Sequence, residues 1–154
     1  MRRHKFNPAI SILVLLLCLP SVPAFAAAEG NFQRTLSVNG HVDLDVSSGS
    51  GSITVHTGSG DKIEISGHIR VSDWFDSAAQ QKVKQLENNP PVQQSGNSIR
   101  IGHISDFSLR RNVSISYEIT VPPDTELKSH AGSGNQTIDG IRGPLDLDAG
   151  SGSL

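Results

Sequence analysis

Apolar and polar residues alternate along most of the chain, which is the pattern of half-buried β-strands. Four segments show the alternation most clearly: Val42 to Val46, Ile53 to Val55, Ile63 to Val71 and Val113 to Val121. Each segment has one apolar face, and that face must be covered. The pattern therefore predicts an all-β fold whose strands stack on one another or on a common core.

One segment departs from the alternation and predicts a helix over about residues 74–88. Asp73 is placed to cap it, and Pro90 cannot continue it. Because the helix would lie across a β body, we expect Trp74 and Phe75 to anchor it in the core. Its apolar residues recur at steps of three to five: Trp74, Ala78, Val83 and Leu86.

Gly-Ser-Gly occurs four times between the predicted strands, at residues 49–51, 58–60, 132–134 and 150–152. The first two motifs are 9 residues apart and the last two are 18 apart. His56–Asp61 is echoed by His130–Asn135, and Val42–Val46 is echoed by Leu145–Ala149. Such a period predicts a β-solenoid or β-helix-like stack of short strands with one inserted helix.

Glycine suits the corners of such a stack because tight corners often require positive φ. We expect that conformation at Gly58 and Gly132.

The segment from Tyr117 to Leu127, with its Val-Pro-Pro sequence, is followed by Gly-Ser-Gly and then by Ile138–Gly143. This arrangement resembles the bacterial DUF4097 family, whose members are described as candidate adhesins built from β-strand repeats. The likeness covers about Phe32 to Leu154. It implies an adhesin-like role, and it supplies no catalytic residue to carry over.

Family members usually continue through further Gly-Ser-Gly repeats. We therefore expect this chain to be a C-terminally truncated form of a longer repeat protein, or to pair an open C-terminal edge with a partner or with a second copy of itself. Leu145, Leu147 and Leu154 would lie at that edge.

The N-terminal segment has the three parts of a secretory signal peptide. Met1–Lys5 is basic, Ile10–Leu19 is apolar, and Ala24–Ala26 has the small residues of a cleavage site. We predict a signal peptide over residues 1–26 and a β-repeat domain over 27–154. Export would place the domain in the periplasm, on the cell surface or outside the cell.

Two features bear on alternatives to a cleaved signal. Pro20 and Pro23 stop the apolar run at about half of the ~20 residues that a membrane span requires, so no stable span is expected after cleavage. Cys18 raises the alternative of a lipoprotein, although Leu17 occupies the position where a lipobox has a small residue.

Composition narrows the function classes. One Cys excludes an intramolecular disulfide framework. Of 13 Lys and Arg, three lie in the predicted signal, so 10 basic residues would remain against 15 Asp and Glu, a formal charge of −5. In the predicted mature chain no Lys/Arg cluster is longer than Arg110-Arg111, so nucleic-acid binding is not expected.

Candidate chemistry is sparse. The Gly-Ser-Gly motifs complete neither a phosphate-binding loop nor GxSxG, so Ser50, Ser59, Ser133 and Ser151 are predicted to be corner residues. His56 and His130 hold equivalent places in the apparent repeat and could meet on one face, yet no metal-binding spacing accompanies them. Four aspartates could align into an acidic ladder for a hard cation or be plain solvated charge: Asp43, Asp45, Asp146 and Asp148.

These observations predict an exported, non-catalytic binding, scaffolding or adhesin-like module of the cell envelope. No catalytic, cofactor or metal site is assigned. The partner would be an envelope protein or a surface ligand. The alternatives are an accessory of an envelope signalling or stress system and, less favoured at 5% aromatic residues, a carbohydrate-active enzyme.

Overall fold

The computed structural model describes residues 27–72 and 76–154. The predicted signal peptide, the predicted cap Asp73 and the predicted anchors Trp74 and Phe75 lie outside these residues. The described part contains ten strands and two helices: β1 (Ala28–Ser37), β2 (Val42–Ser50), β3 (Ile53–Thr57), β4 (Lys62–Val71), α1 (Asp76–Asn88), β5 (Val92–Ser95), β6 (Ser98–Ile101), α2 (Phe107–Arg110), β7 (Val113–Val121), β8 (Thr125–Ser133), β9 (Gln136–Asp139) and β10 (Leu145–Ser151).

The strands form two five-stranded sheets. Sheet A has the order β1-β4-β7-β3-β9, and sheet B has the order β10-β8-β2-β6-β5. The predicted all-β class is confirmed. The inner faces of both sheets contribute to one cluster of buried hydrophobic residues. Alternation along each strand produces this arrangement, because every second side chain points to the same face.

A β-solenoid is not confirmed. β1 with β4, β4 with β7, and β5 with β6 pair antiparallel, and strand order within the sheets departs from chain order. Parallel pairing is confined to β6, β2, β8 and β10 in sheet B and to β7, β3 and β9 in sheet A. Within that parallel part, β2 and β8 each pass through a Gly-Ser-Gly corner into a strand of sheet A.

Three of the four Gly-Ser-Gly motifs stack at this corner. The Gly51 N–H donates to Ser133 O at 3.2 Å, and the Gly134 N–H donates to Ser151 O at 3.2 Å. Residues 58–60 instead connect β3 to β4, at the other end of β3. The 9-residue spacing is therefore not a structural repeat, whereas the 18-residue spacing matches the pairing of Leu145 with Leu127.

The expected reason for glycine at Gly58 and Gly132 is wrong. Neither residue has positive φ; in these motifs Gly51, Gly60 and Gly134 do. Gly132 is required by close approach, because a Cβ built there would lie 2.6 Å from the carbonyl oxygen of Gly49 on the neighbouring strand. Stacked corners bring two backbones closer than a side chain permits.

Helix α1 ends at Asn88, before Pro90, as its sequence predicts. Val83 and Leu86 are buried as expected, and Ala79 rather than Ala78 completes the buried face. The helix packs against β1 and β4 of sheet A. Near its end, the Glu87 carboxylate accepts a hydrogen bond from the Asn31 N–H at 2.9 Å, which fixes the helix to β1.

Candidate functional site

A groove forms where β6 ends early. β2 pairs with β6 only over Asp43–Val46, whereas it pairs with β8 as far as Ser50. The chain leaves β6 at Gly102, which has a φ of 82° and whose Cβ would lie 1.7 Å from Ser47 O, so only glycine fits there. The end of β2 consequently borders a groove of about 990 Å³.

Hydroxyl groups and basic side chains dominate the groove. The basic residues are Arg100, Arg110, His103 and His130, and no Asp or Glu is found among the described lining residues. The apolar contribution comes chiefly from Ile104, Val113, Ile115 and Tyr117. Six serines line it: Ser47, Ser48, Ser50, Ser72, Ser105 and Ser114.

Two of these serines are held in place by backbone oxygens of the facing sheet. The Ser48 hydroxyl donates to Ile115 O at 2.9 Å and is buried. The Ser114 hydroxyl donates to Ser50 O. These hydrogen bonds join β2 of sheet B to β7 of sheet A. They rigidify the groove floor, because a buried hydroxyl that lost its partner would carry a desolvation penalty.

Helix α2 contributes Arg110 to the groove lining, and this helix was not predicted from the sequence. Asp106 caps it, accepting hydrogen bonds from the Ser108 hydroxyl at 2.7 Å and the Ser108 N–H at 2.8 Å. These bonds lower the pKa of Asp106 below its usual value. The Arg110 guanidinium, at the end of the helix, lies 5.7 Å from the centre of the Phe107 ring. The cap and the ring together position a cation at the groove.

Asp45 lies beside two further basic side chains of this region. Its carboxylate lies 3.1 Å from His103 Nε2 and 3.6 Å from Arg100 Nε. The His103 contact has the distance of an ion pair without the alignment of a hydrogen bond, since Nε2 is buried with no hydrogen-bond partner. Asp45 therefore offsets part of the positive charge of Arg100 and leaves Arg110 as the groove's main cation.

Tyr117 lines the groove, and its burial leads to a prediction about the pH at which its phenol ionises. Burial raises its pKa above the usual value of about 10. We expect phenolate absorbance to stay absent in the folded chain at pH values where free tyrosine ionises. The chain has a single tyrosine, so a spectrophotometric titration reports this group alone.

The sign of the stability effect follows from that shift. Below about pH 10 the phenol is neutral in both folded and unfolded chains, so the free energy of unfolding is unaffected there. It should decline as the pH rises further, because the unfolded chain loses the proton first. The Tyr117→Phe variant is the control and should lack this part of the decline. Phenolate absorbance appearing in the folded chain near pH 10 would contradict the prediction.

The acidic ladder is not formed as the apparent repeat suggested. Register places Asp45 beside Lys128 and Lys128 beside Asp146, so a lysine separates the two aspartates. Asp148 is hydrogen-bonded to His130 at 2.6 Å. Asp43 lies beside Glu126. β8 lies between β2 and β10. The residue of β2 that shares a row with Leu145 is Leu44, two positions after the Val42 that the sequence echo pairs with it.

The two candidate histidines do not meet. His56 lies on β3 of sheet A, whereas His130 lies on β8 of sheet B. Ser50, Ser133 and Ser151 stack as exposed corner residues, and Ser59 lies between β3 and β4.

Within residues 27–72 and 76–154, no group of three or more His, Cys, Asp and Glu side chains is arranged to hold a metal ion. In the same part of the chain, no helix is long and apolar enough to cross a membrane.

The sequence does not indicate the groove as a site. Its basic residues Arg100, His103 and Arg110 are scattered along the chain, and the sequence singles out only the Arg110-Arg111 pair among them. Ser50 and His130 also line the groove, but the sequence suggested a corner and a metal contact for them. The one usable signal was the break in alternation after Ile101, where Gly102 begins a segment without strand periodicity.

Comparison with known proteins gives a likeness of fold. No family model and no curated protein sequence matches the chain. A solved structure from Clostridium sporogenes, described as a "putative cell adhesion protein", is similar with a TM-score of 0.51 and 18% sequence identity. The match covers 81% of this chain and 59% of that one, so this chain spans less than two thirds of that protein's length. At this identity the comparison shows a shared fold.

Proposed function

We propose that this chain is an exported, non-catalytic, adhesin-like module whose groove binds an anionic, hydroxyl-rich polymer, such as an acidic polysaccharide of a cell surface. The observation that carries the proposal is the groove lining. Its described residues combine serine hydroxyls with basic side chains and include no carboxylate. The Clostridium sporogenes protein of similar fold, described as a putative cell adhesion protein, agrees with this role.

The lining suits a charged sugar polymer in two ways. Serine hydroxyls both donate and accept hydrogen bonds, so they match the hydroxyls of a saccharide. Arg110 presents a guanidinium, which recognises a carboxylate or sulfate through paired hydrogen bonds. The groove is open rather than enclosed, so an extended chain could pass through it.

Binding fits these residues better than hydrolysis does. Most glycoside hydrolases place two carboxyl groups on either side of the scissile bond. Two carboxylates lie beside lining residues, and both are engaged with them: Asp45 with His103 and Arg100, and Asp148 with His130. A carbohydrate-active enzyme is therefore the less favoured candidate.

The scaffold of the proposed module is a partial repeat stack. We take the parallel strands β2, β8 and β10, with their stacked corners, as solenoid-like coils of the DUF4097 type that the sequence resembles. Helix α1 and the antiparallel strands β1 and β4 would close one end of this stack. Export rests on the N-terminal sequence, with Ala27 as the expected first residue of the mature chain.

The test is binding of the exported chain to surface polysaccharides immobilised on a sensor. We expect binding to a uronic-acid polymer and none to a neutral polymer of similar length. Arg110→Gln should weaken binding roughly threefold to tenfold, because it removes a charge-assisted contact. Gly49→Gln should weaken it as well, since no atom lies within 4 Å of a Cβ at Gly49 and the new side chain would enter the groove.

The matched control is Arg142→Gln. Arg142 is also exposed, pairs with Asp124 at 3.3 Å and lies between β9 and β10, away from the groove lining. The Arg142→Gln variant changes the net charge by the same amount as Arg110→Gln, and we expect it to leave polysaccharide binding unchanged. Equal losses for both arginine variants would indicate unspecific attraction of charge and would contradict a site in the groove.

A further inference from the structure

Helix α2 carries an exposed aromatic side chain. Among residues 27–72 and 76–154 there are three Phe, Tyr and Trp residues, and two of them, Phe32 and Tyr117, are buried. Phe107 is 67% exposed, so most of its ring lies outside the core. A single exposed apolar residue is ordinary on a protein surface, so the surroundings of the Phe107 ring decide whether it has a role.

The Phe107 ring lies beside the main cation of the groove. The Arg110 guanidinium lies over the ring, 5.7 Å from its centre, and Arg110 belongs to the groove lining. Phe107 itself is outside the described lining, so the ring lies at the rim of the groove. A sugar whose carboxylate pairs with Arg110 would therefore bring the rest of its own ring close to Phe107.

Helix α2 is held at both ends, so the ring and the guanidinium are placed together before any ligand binds. At the start of the helix, the Asp106 carboxylate accepts hydrogen bonds from the Ser108 hydroxyl and N–H. At its end, the Lys82 ammonium on α1 donates to Arg111 O at 3.2 Å. Groups that are held in position before binding lose less conformational entropy when the ligand arrives.

We propose that Phe107 is a stacking subsite for one sugar ring of the polymer, at the rim of the groove. The inference rests on the proposed function and adds a second kind of contact to the same site. In a uronic acid the carboxylate and the axial C–H groups belong to one ring, so Arg110 binds the carboxylate while the exposed part of Phe107 packs against the C–H groups. The face of an aromatic ring carries partial negative charge, which attracts C–H groups. The subsite therefore favours an anionic sugar over an anion that has no sugar ring.

The test measures binding of the exported chain to the immobilised uronic-acid polymer with two variants of the ring. Phe107→Leu keeps an apolar side chain and removes the aromatic ring, whereas Phe107→Tyr keeps the ring. We expect Phe107→Leu to weaken binding by roughly threefold or more and Phe107→Tyr to stay within about twofold of the unmodified chain. Poly-glutamate of similar length has carboxylates without sugar rings. It should bind the unmodified chain more weakly than the uronic-acid polymer does, and Phe107→Leu should reduce this difference.

The Arg110→Gln variant separates stacking from positioning of the guanidinium. If Phe107 acted only by holding Arg110 in place, Phe107→Leu would change nothing in a chain that already carries Arg110→Gln. A ring that contacts the sugar should still contribute there, with a loss of similar factor. All variants should keep the urea midpoint of the unmodified chain, because both side chains are exposed. A lower midpoint for Phe107→Leu would mean that the ring is covered in solution and would overturn an open subsite.

Three binding results would also overturn the stacking subsite: no loss in Phe107→Leu, equal losses in the leucine and tyrosine variants, or no further loss when Phe107→Leu is added to Arg110→Gln. If Arg110→Gln alone still weakens binding in those cases, the proposed function stands and only stacking fails. Absence of polysaccharide binding by the unmodified chain would instead overturn the proposed function together with the subsite.

Discussion

Replacing Leu127 by Ala is expected to lower the free energy of unfolding by about 2–5 kcal/mol. Leu127 is fully buried in β8, between Leu44 on β2 and Leu145 on β10. Truncation removes apolar contacts on both sides and leaves a cavity, because neighbours held by two sheets can collapse only in part. Urea unfolding of the exported chain, followed by circular dichroism, measures the loss.

Leu145→Ala is the matched control for Leu127→Ala. It makes the same chemical change in the same row, but Leu145 is 48% exposed and, among the described strands, has β8 alone beside it. We expect a loss below about 1.5 kcal/mol. Equal losses at the two positions would contradict the exposed edge and would mean that another chain covers Leu145 in solution.

The second large effect is expected from Gly132→Ala, which should destabilise the fold by about 1–3 kcal/mol. The new methyl group would lie 2.6 Å from Gly49 O, which belongs to backbone and cannot rotate away. Relief requires separation of the β2 and β8 corners, at the cost of the hydrogen bond from the Gly51 N–H to Ser133 O. The same urea titration gives the difference.

Gly49→Ala tests whether glycine is required by the close approach at the stacked corner or at every glycine of the Gly-Ser-Gly motif. Gly49 occupies the equivalent place in the preceding corner, has no positive φ, and has no atom within 4 Å of a built Cβ. Alanine there should change stability by about 0.5 kcal/mol or less. Similar losses at Gly49 and Gly132 would show that the stacked corner is not what requires glycine.

The groove depends on tertiary structure that the sequence does not display. Its basic residues come from β6, from the following loop, from α2 and from β8, and they converge because β6 stops at Ile101 while β2 continues. Nothing in the strand periodicity of β6 indicates that its neighbour is longer. The acidic ladder is likewise decided by tertiary structure. Lys128, which separates Asp45 from Asp146, lies on β8, far along the chain from β2.

The sequence by itself determined the all-β class, the end of α1 before Pro90 and the buried face of most strands, as in Leu44 and Val46. These properties are local, because alternation assigns a side chain to one face and proline stops a helix wherever it stands. Only the tertiary structure decided which strands are neighbours, which corners stack and where the groove opens. Alternating strands offer nearly the same backbone donors and acceptors, so their order depends on side chains and turns that meet only after the chain has folded.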